Sequence, residues 1–255
     1  MCSVDEDALI EKFSDSKQLM HLARTPILDK NKHLLNNHPQ LYAFGFNAGG
    51  RPDGLWFSYG SKWMQTAKQL NNPKFPICCY LYKLELTDNA NILTIANYDD
   101  FKKFDEETPD YWINLDYFEV DFIDYLNDQE VKSMKKHKLT LSQLRKKPNE
   151  SLKETLINNH IIFTDIESAV HNCKFYKETD IPVERFKYKD WSVVAEKYSG
   201  VVFDSWDLED PAIKYMWFQS LDVVSGCIWD TTVIKDLELC YHKIDASTWE
   251  LSQLL

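Results

Sequence analysis

Two short stretches concentrate the residue types that do chemistry. The first, GFNAGGRPDGLWFSYG (45–60), carries five of the chain's seven glycines. Glycine permits positive φ and lets another group come close. Set between two strands, such a loop presents backbone N–H groups and the Arg51 guanidinium to an anion. Trp56, Ser58 and Tyr59 follow at once. Aromatic faces hold flat rings, and a hydroxyl orients them. The competing reading is a long hairpin loop with ordinary core aromatics. The second stretch, SLDVVSGCIWD (220–230), gathers Asp222, Ser225, Cys227, Trp229 and Asp230 around Gly226. Strand alternation sends Cys227 and Trp229 to one face and Ile228 to the other. This reads either as one wall of a cleft with a carboxylate at its edge, or as a turn plus a core strand.

Other chemistries find less support. Cys227 is a nucleophile only with a base beside it and a depressed thiol pKa. His171 and His242 are the candidate bases, and nothing in the sequence brings either near, so an inert buried thiol is expected. His33 and His38 are five residues apart, off a common helix face, and HExxH is absent, so no metal site is expected. The P-loop, dinucleotide-binding GxGxxG and GxSxG signatures are absent as well. Cysteines stand at 2, 78, 79, 173, 227 and 240 without a CxxC pair, and all six are read as reduced thiols.

The elements that must position these residues follow from local pattern. Residues 5–23 show helical spacing, with Ser14-Asp15-Ser16 breaking the run into two short helices. A further helix is expected around 29–36. LYAFGF (41–46) and GLWFS (54–58) read as strands, and Ser61 as the cap of a helix through 62–70. PICCYLYKLEL (76–86) and ILTI (92–95) read as strands, and Asn97 as the cap of a helix carrying Phe101 and Phe104. Helical stretches near 140–147 and 150–158 flank Pro148. Asp190 caps a helix through Tyr198. GVVFDSW (200–206), YMWFQS (215–220), GCIWD (226–230) and DLELCYH (236–242) complete the strands. Runs of strands broken by short helices indicate α+β rather than a strictly alternating parallel fold.

Charge divides the chain. Residues 105–130 hold ten Asp and Glu and no Lys or Arg, whereas 132–147 hold seven Lys and Arg and no Asp or Glu. The 255 residues are read as one domain with a lobe boundary within 105–150. The basic run KSMKKHKLTLSQLRKK (132–147) either docks on an anionic partner or is a solvated helix face that neutralises the acidic block. A net charge of −11 disfavours duplex nucleic acid. No apolar run approaches the roughly 20 residues of a membrane helix. MCSVDEDALIEKF is too acidic at its start for a secretory signal. The expected setting is a reducing, cytoplasmic compartment, of the chain's own cell or of one into which it is delivered.

LYAFGF, RPDGLWFSYGSKW and WSVVAEKYSGVVF…YMWFQSLDVVSGCIWD, in that order, resemble mono-ADP-ribosyltransferase-like proteins of bacteria, phages and large viruses. The similarity covers about a third of the chain. It implies a split α+β fold of mostly antiparallel sheets with short helices, gripping NAD as a substrate. An early Arg or His would hold NAD, a Ser or Tyr on the second strand would position the nicotinamide ribose, and a late acid would stabilise the cationic transition state. On this sequence, catalysis falls to Asp222 and Ser58, with Asp230 behind Asp222. Arg51, Gly54, Trp56, Tyr59 and Ser225 would contact NAD. Two departures stand out: Ala43 occupies the early Arg or His position, with Arg51 and His38 as the nearest substitutes, and the late acid is Asp rather than Glu. The expected activity is transfer of ADP-ribose to a protein or other macromolecule. The alternative is a non-enzymatic interaction domain that binds a protein partner.

Overall fold

The computed structural model describes residues 3–23, 26, 52, 54–69, 80–113, 157–158, 162–172, 187–204, 218, 223–245 and 247–252, and the statements below concern these. The readings at 29–36, 41–46, 76–79, 140–147 and 150–156 lie outside them, as do Arg51, Asp222 and the basic run.

The chain opens with strand β1 (Ser3–Asp5) and helix α1 (Glu6–Lys12). The Asp5 carboxylate accepts the Asp7 N–H at 2.8 Å, Glu6 and Asp7 occupy the first turn, and Lys12 the last, matching the helix dipole at both ends. The helical spacing does not continue. Residues Leu19–Ala23 form strand β2, which bonds to a neighbour on each side. The second expected helix is therefore a strand. Two ladders of backbone hydrogen bonds outweigh the weak helical preference of a five-residue segment.

Strand β3 (Leu55–Tyr59) leads into helix α2 (Lys62–Gln69), then β4 (Tyr80–Leu86), β5 (Ile92–Ile95) and helix α3 (Tyr98–Glu107). Asn97 caps α3 as expected, accepting the Asp100 N–H at 2.9 Å. Gly60 makes the turn between β3 and α2 with φ +55°, and its N–H donates to Gln18 O at 2.8 Å. A Cβ at Gly60 would lie 2.1 Å from Phe13 O, so this turn requires glycine both for its φ and for its close approach.

Strands β6 (Asp110–Ile113), β7 (Ile162–Phe163) and β8 (Lys187–Lys189) form a second sheet in the order β7-β6-β8, and helix α4 (Ile166–Asn172) packs on it. Asp190 caps helix α5 (Trp191–Ala195), a turn shorter than expected. Strands β9 (Gly200–Phe203), β10 (Ser225–Ile228), β11 (Ile234–Lys243) and β12 (Thr248–Leu251) return to the main sheet. Of YMWFQS, only Phe218 is described, and it is helical and buried.

The main sheet has nine strands in the order β1-β12-β11-β4-β2-β3-β10-β9-β5. Every pairing in it is antiparallel except β5 with β9. The fold is mixed α+β, with a large, mostly antiparallel sheet and few helices. One face packs Cys227, Val201, Phe203 and Trp229 against Phe101 and Phe104 of α3 and Trp191 and Val194 of α5. The other gathers Leu55, Phe57, Val202, Ile228 and Leu84. Cys227 and Trp229 thus part from Ile228, as alternation requires. A third cluster holds Leu9, Met20, Met64 and Trp249 under α1 and α2.

An ion cluster ties α3 to the second sheet. Lys189 Nζ, fully buried, lies 2.5 Å from Asp105 Oδ1 and 2.7 Å from Asp110 Oδ1, and donates to Asp105 O at 2.7 Å. Lys187 reaches the same two carboxylates at 3.4 and 2.8 Å. Two cations face two carboxylates, and the carbonyls of Asp105 and Thr108 also accept from Lys189, the pairing under which buried charge is tolerated.

Candidate functional site

The two stretches that stood out in the sequence are neighbouring strands. β10 pairs with β3 so that Ser225 faces Ser58, Gly226 faces Phe57, Cys227 faces Trp56 and Ile228 faces Leu55. On its other side β3 meets β2 at two positions, Leu19 with Tyr59 and Met20 with Ser58. Beyond them the strands part: residues 21–23 continue along β4 and residues 55–57 along β10, without pairing to each other.

His21 stands at this fork. Its Nδ1 lies 2.5 Å from Trp56 O, so Nδ1 carries a proton and donates it to the carbonyl. In the neutral ring, Nε2 is then the basic nitrogen. The ring is nearly buried, and two other rings flank it, Trp63 at 6.4 Å and Tyr82 at 6.2 Å between centroids. Trp56 and Trp63 are half-buried, and Trp56 packs against the cluster on the α3 and α5 face of the sheet. Trp56 Nε1 donates to Pro52 O at 3.1 Å, which fixes the indole. An imidazole flanked by two aromatic rings, where the β2–β3 ladder stops, suits a flat, polar-edged ligand.

The expected residues take different places around this fork. Ser58 is fully buried, and its Oγ accepts the Trp63 N–H at 3.3 Å, so it holds the start of α2 to β3. Ser61, expected as the cap, instead receives the Gln65 side chain at 3.0 Å. Ser225 is buried at 2% exposure, opposite Ser58. The space a side chain would fill at Gly54 is taken by Ile228 O at 2.4 Å and Cys227 Sγ at 2.7 Å, so this glycine serves strand packing. Tyr59 ends β3 half-buried, and burial first, then the Asp204 charge, push its phenol above the ordinary range. Asp204 follows β9 directly and is exposed. Continuing the β3–β10–β9 register by one residue sets Val224 between Tyr59 and Asp204.

Asp230 is occupied structurally. It caps the 3-10 turn Thr231–Val233, accepting the Thr232 N–H at 3.0 Å and the Thr232 hydroxyl at 2.7 Å. Cys227 is fully buried, with Sγ 3.6 Å from Pro52 O. His242 is four strands away, roughly 19 Å at the usual strand spacing. It lies opposite Glu250, with Nε2 at 3.5 Å from that carboxylate. His171 is exposed on the last turn of α4. Cys227 and Cys240 are free thiols. Among the described residues, no group of three or more His, Cys, Asp or Glu is arranged for a metal, and no helix is long and apolar enough to cross a membrane.

Compared with known families, curated proteins and solved structures, the chain matches none.

His21 is the residue that sequence reasoning missed. It sits in LMHLA, whose apolar residues were absorbed into a helical pattern. LMHLA has no polar–apolar alternation to mark it as a strand, and its pairing with β3 and β4 is what makes it one.

Proposed function

We propose that the chain is an NAD-dependent mono-ADP-ribosyltransferase acting on a protein or other macromolecule, with NAD held where β2 and β3 part. The observation that carries this reading is the order of three adjacent strands: LMHLA with His21, then LWFSY, then SGCI. The resemblance asks for an early His or Arg beside the second-strand motif, and His21 supplies it where Ala43 did not. His21, its ring set by Trp56 O, holds NAD; the half-buried Trp63 beside it supplies a face for the nicotinamide. Ser58 and Ser225 are positioning residues. In the transfer, the bond from C1′ of the ribose to nicotinamide breaks and the base leaves with the electron pair. The acceptor's nucleophile bonds to C1′ and gives its proton to solvent. Asp222 remains the proposed acid, its carboxylate stabilising the cationic centre.

The alternative, a binding-only domain, is favoured by one observation. Ser58 and Ser225 are sealed at 0% and 2% exposure, which withholds both hydroxyls from a ligand unless the fork opens. Incubation with labelled NAD and a cell lysate separates the two. Transfer predicts labelled protein bands that vanish in Asp222→Ala and weaken at least about tenfold in His21→Ala, the loss of one charge-assisted contact. Undiminished label in both variants overturns the site. Absence of label with the parent protein, while a protein partner is captured, supports the binding domain.

A further inference from the structure

A cavity of about 160 Å³ lies apart from the fork, between α3, α5 and β5. β5 is the last strand of the sheet, three strands from β3, or roughly 14 Å. Phe104 and Val194, both nearly buried, give the cavity an apolar floor. The volume is enough for one benzene-sized ring, in a cleft that is open to solvent and partly polar. Its rim is charged and uneven. The α3 side carries Asp100, Lys103 and Glu107, a net charge of −1. The opposite side carries Lys197, a charge of +1.

Asp100 is held in place, because its Oδ2 accepts the Ala96 N–H at 3.1 Å. Lys103 lies three residues from Asp100 and four from Glu107 on the same helix, so these carboxylates compensate its charge within α3. Lys197 has no such carboxylate three or four residues before it, where Val194 and Val193 stand. The cavity is therefore dipolar across an apolar floor. A singly charged ligand satisfies one wall and leaves the other unmatched; a zwitterion satisfies both.

We infer that this cavity binds a small zwitterion with an apolar body, the class of free apolar α-amino acids. The ammonium lies toward α3, the carboxylate on Lys197, and the side chain on Phe104 and Val194. The site is independent of the proposed NAD chemistry.

The test is an NMR titration of the ¹⁵N-labelled full chain with L-phenylalanine, and in parallel with 3-phenylpropionate, which lacks the ammonium, and phenethylamine, which lacks the carboxylate. The expected result is saturable shifts within 93–108 and 193–198 for phenylalanine, with each half-ligand at least about tenfold weaker. Lys197→Ala, a change at an exposed residue, weakens phenylalanine to a similar degree and leaves phenethylamine unchanged. Absence of saturable shifts with phenylalanine, equal affinity for a half-ligand, or an unaltered Lys197→Ala variant each overturns the assignment.

Discussion

Lys189→Met tests whether the buried ion cluster holds the second sheet on α3. The lysine is fully buried, contacts two carboxylates at 2.5 and 2.7 Å, and donates to the carbonyls of Asp105 and Thr108 at 2.7 and 3.3 Å. Methionine fills similar volume but removes one of the two cations that Asp105 and Asp110, 18% and 22% exposed, share with Lys187. Removing one partner of a buried ion pair costs about 3–5 kcal/mol, because the remaining charge is left uncompensated. In a chain of this length each kcal/mol moves the melting temperature by roughly 2–4 °C, so a fall of roughly 6–20 °C is expected. Urea unfolding reads the same loss as a lower midpoint at unchanged slope. Replacing Asp110 by leucine in the same variant should recover part of it, since the cluster again balances one cation with one carboxylate. A Lys189→Met cost under about 1 kcal/mol, or a double variant no more stable than the single, would refute this account of the cluster.

Gly60→Ala should cost more than about 2 kcal/mol, read by thermal melting, since it adds left-handed backbone strain to a 2.1 Å approach to Phe13 O. Tyr188→Phe reports on alkaline stability. Burial raises the Tyr188 phenol well above its ordinary value of 10.0, so the folded state keeps a proton that the unfolded state gives up. That contribution is whole below pH 10 and is lost as pH rises toward the folded value, at up to about 1.4 kcal/mol per pH unit. The variant should therefore lose less stability than the parent between pH 10 and 11.5, measured by melting at each pH.

How much of this was legible depended on which interactions set each element. β3, β5 and β10 announced themselves through short apolar or aromatic runs bounded by glycine or turn residues, and Asn97 and Asp190 through cap chemistry. These signals are local. β2 was not legible as a strand because its identity comes from two partners distant in sequence, β3 and β4. The acidic tract hid β6, in which Asp110 is paid back by lysines almost eighty residues away. At the candidate site, residue types were readable but their duties were not. Gly54 and Ser58 suggested contact with a ligand, whereas one admits Cys227 and Ile228 and the other holds α2. Asp230 was visible as a carboxylate, but its cap contacts to Thr232 depend on where β10 ends.

The central claim is that the fork between β2 and β3 holds NAD, and calorimetric titration of NAD into the full chain tests it most directly. The account predicts saturable binding, with a matching rise in melting temperature worth about 2.7 kcal/mol at a hundredfold excess over the dissociation constant. It also predicts binding at least about tenfold weaker in His21→Ala, in which one contact to the ligand is gone. Absence of heat and of thermal shift at millimolar NAD, or equal affinity in His21→Ala, would contradict it.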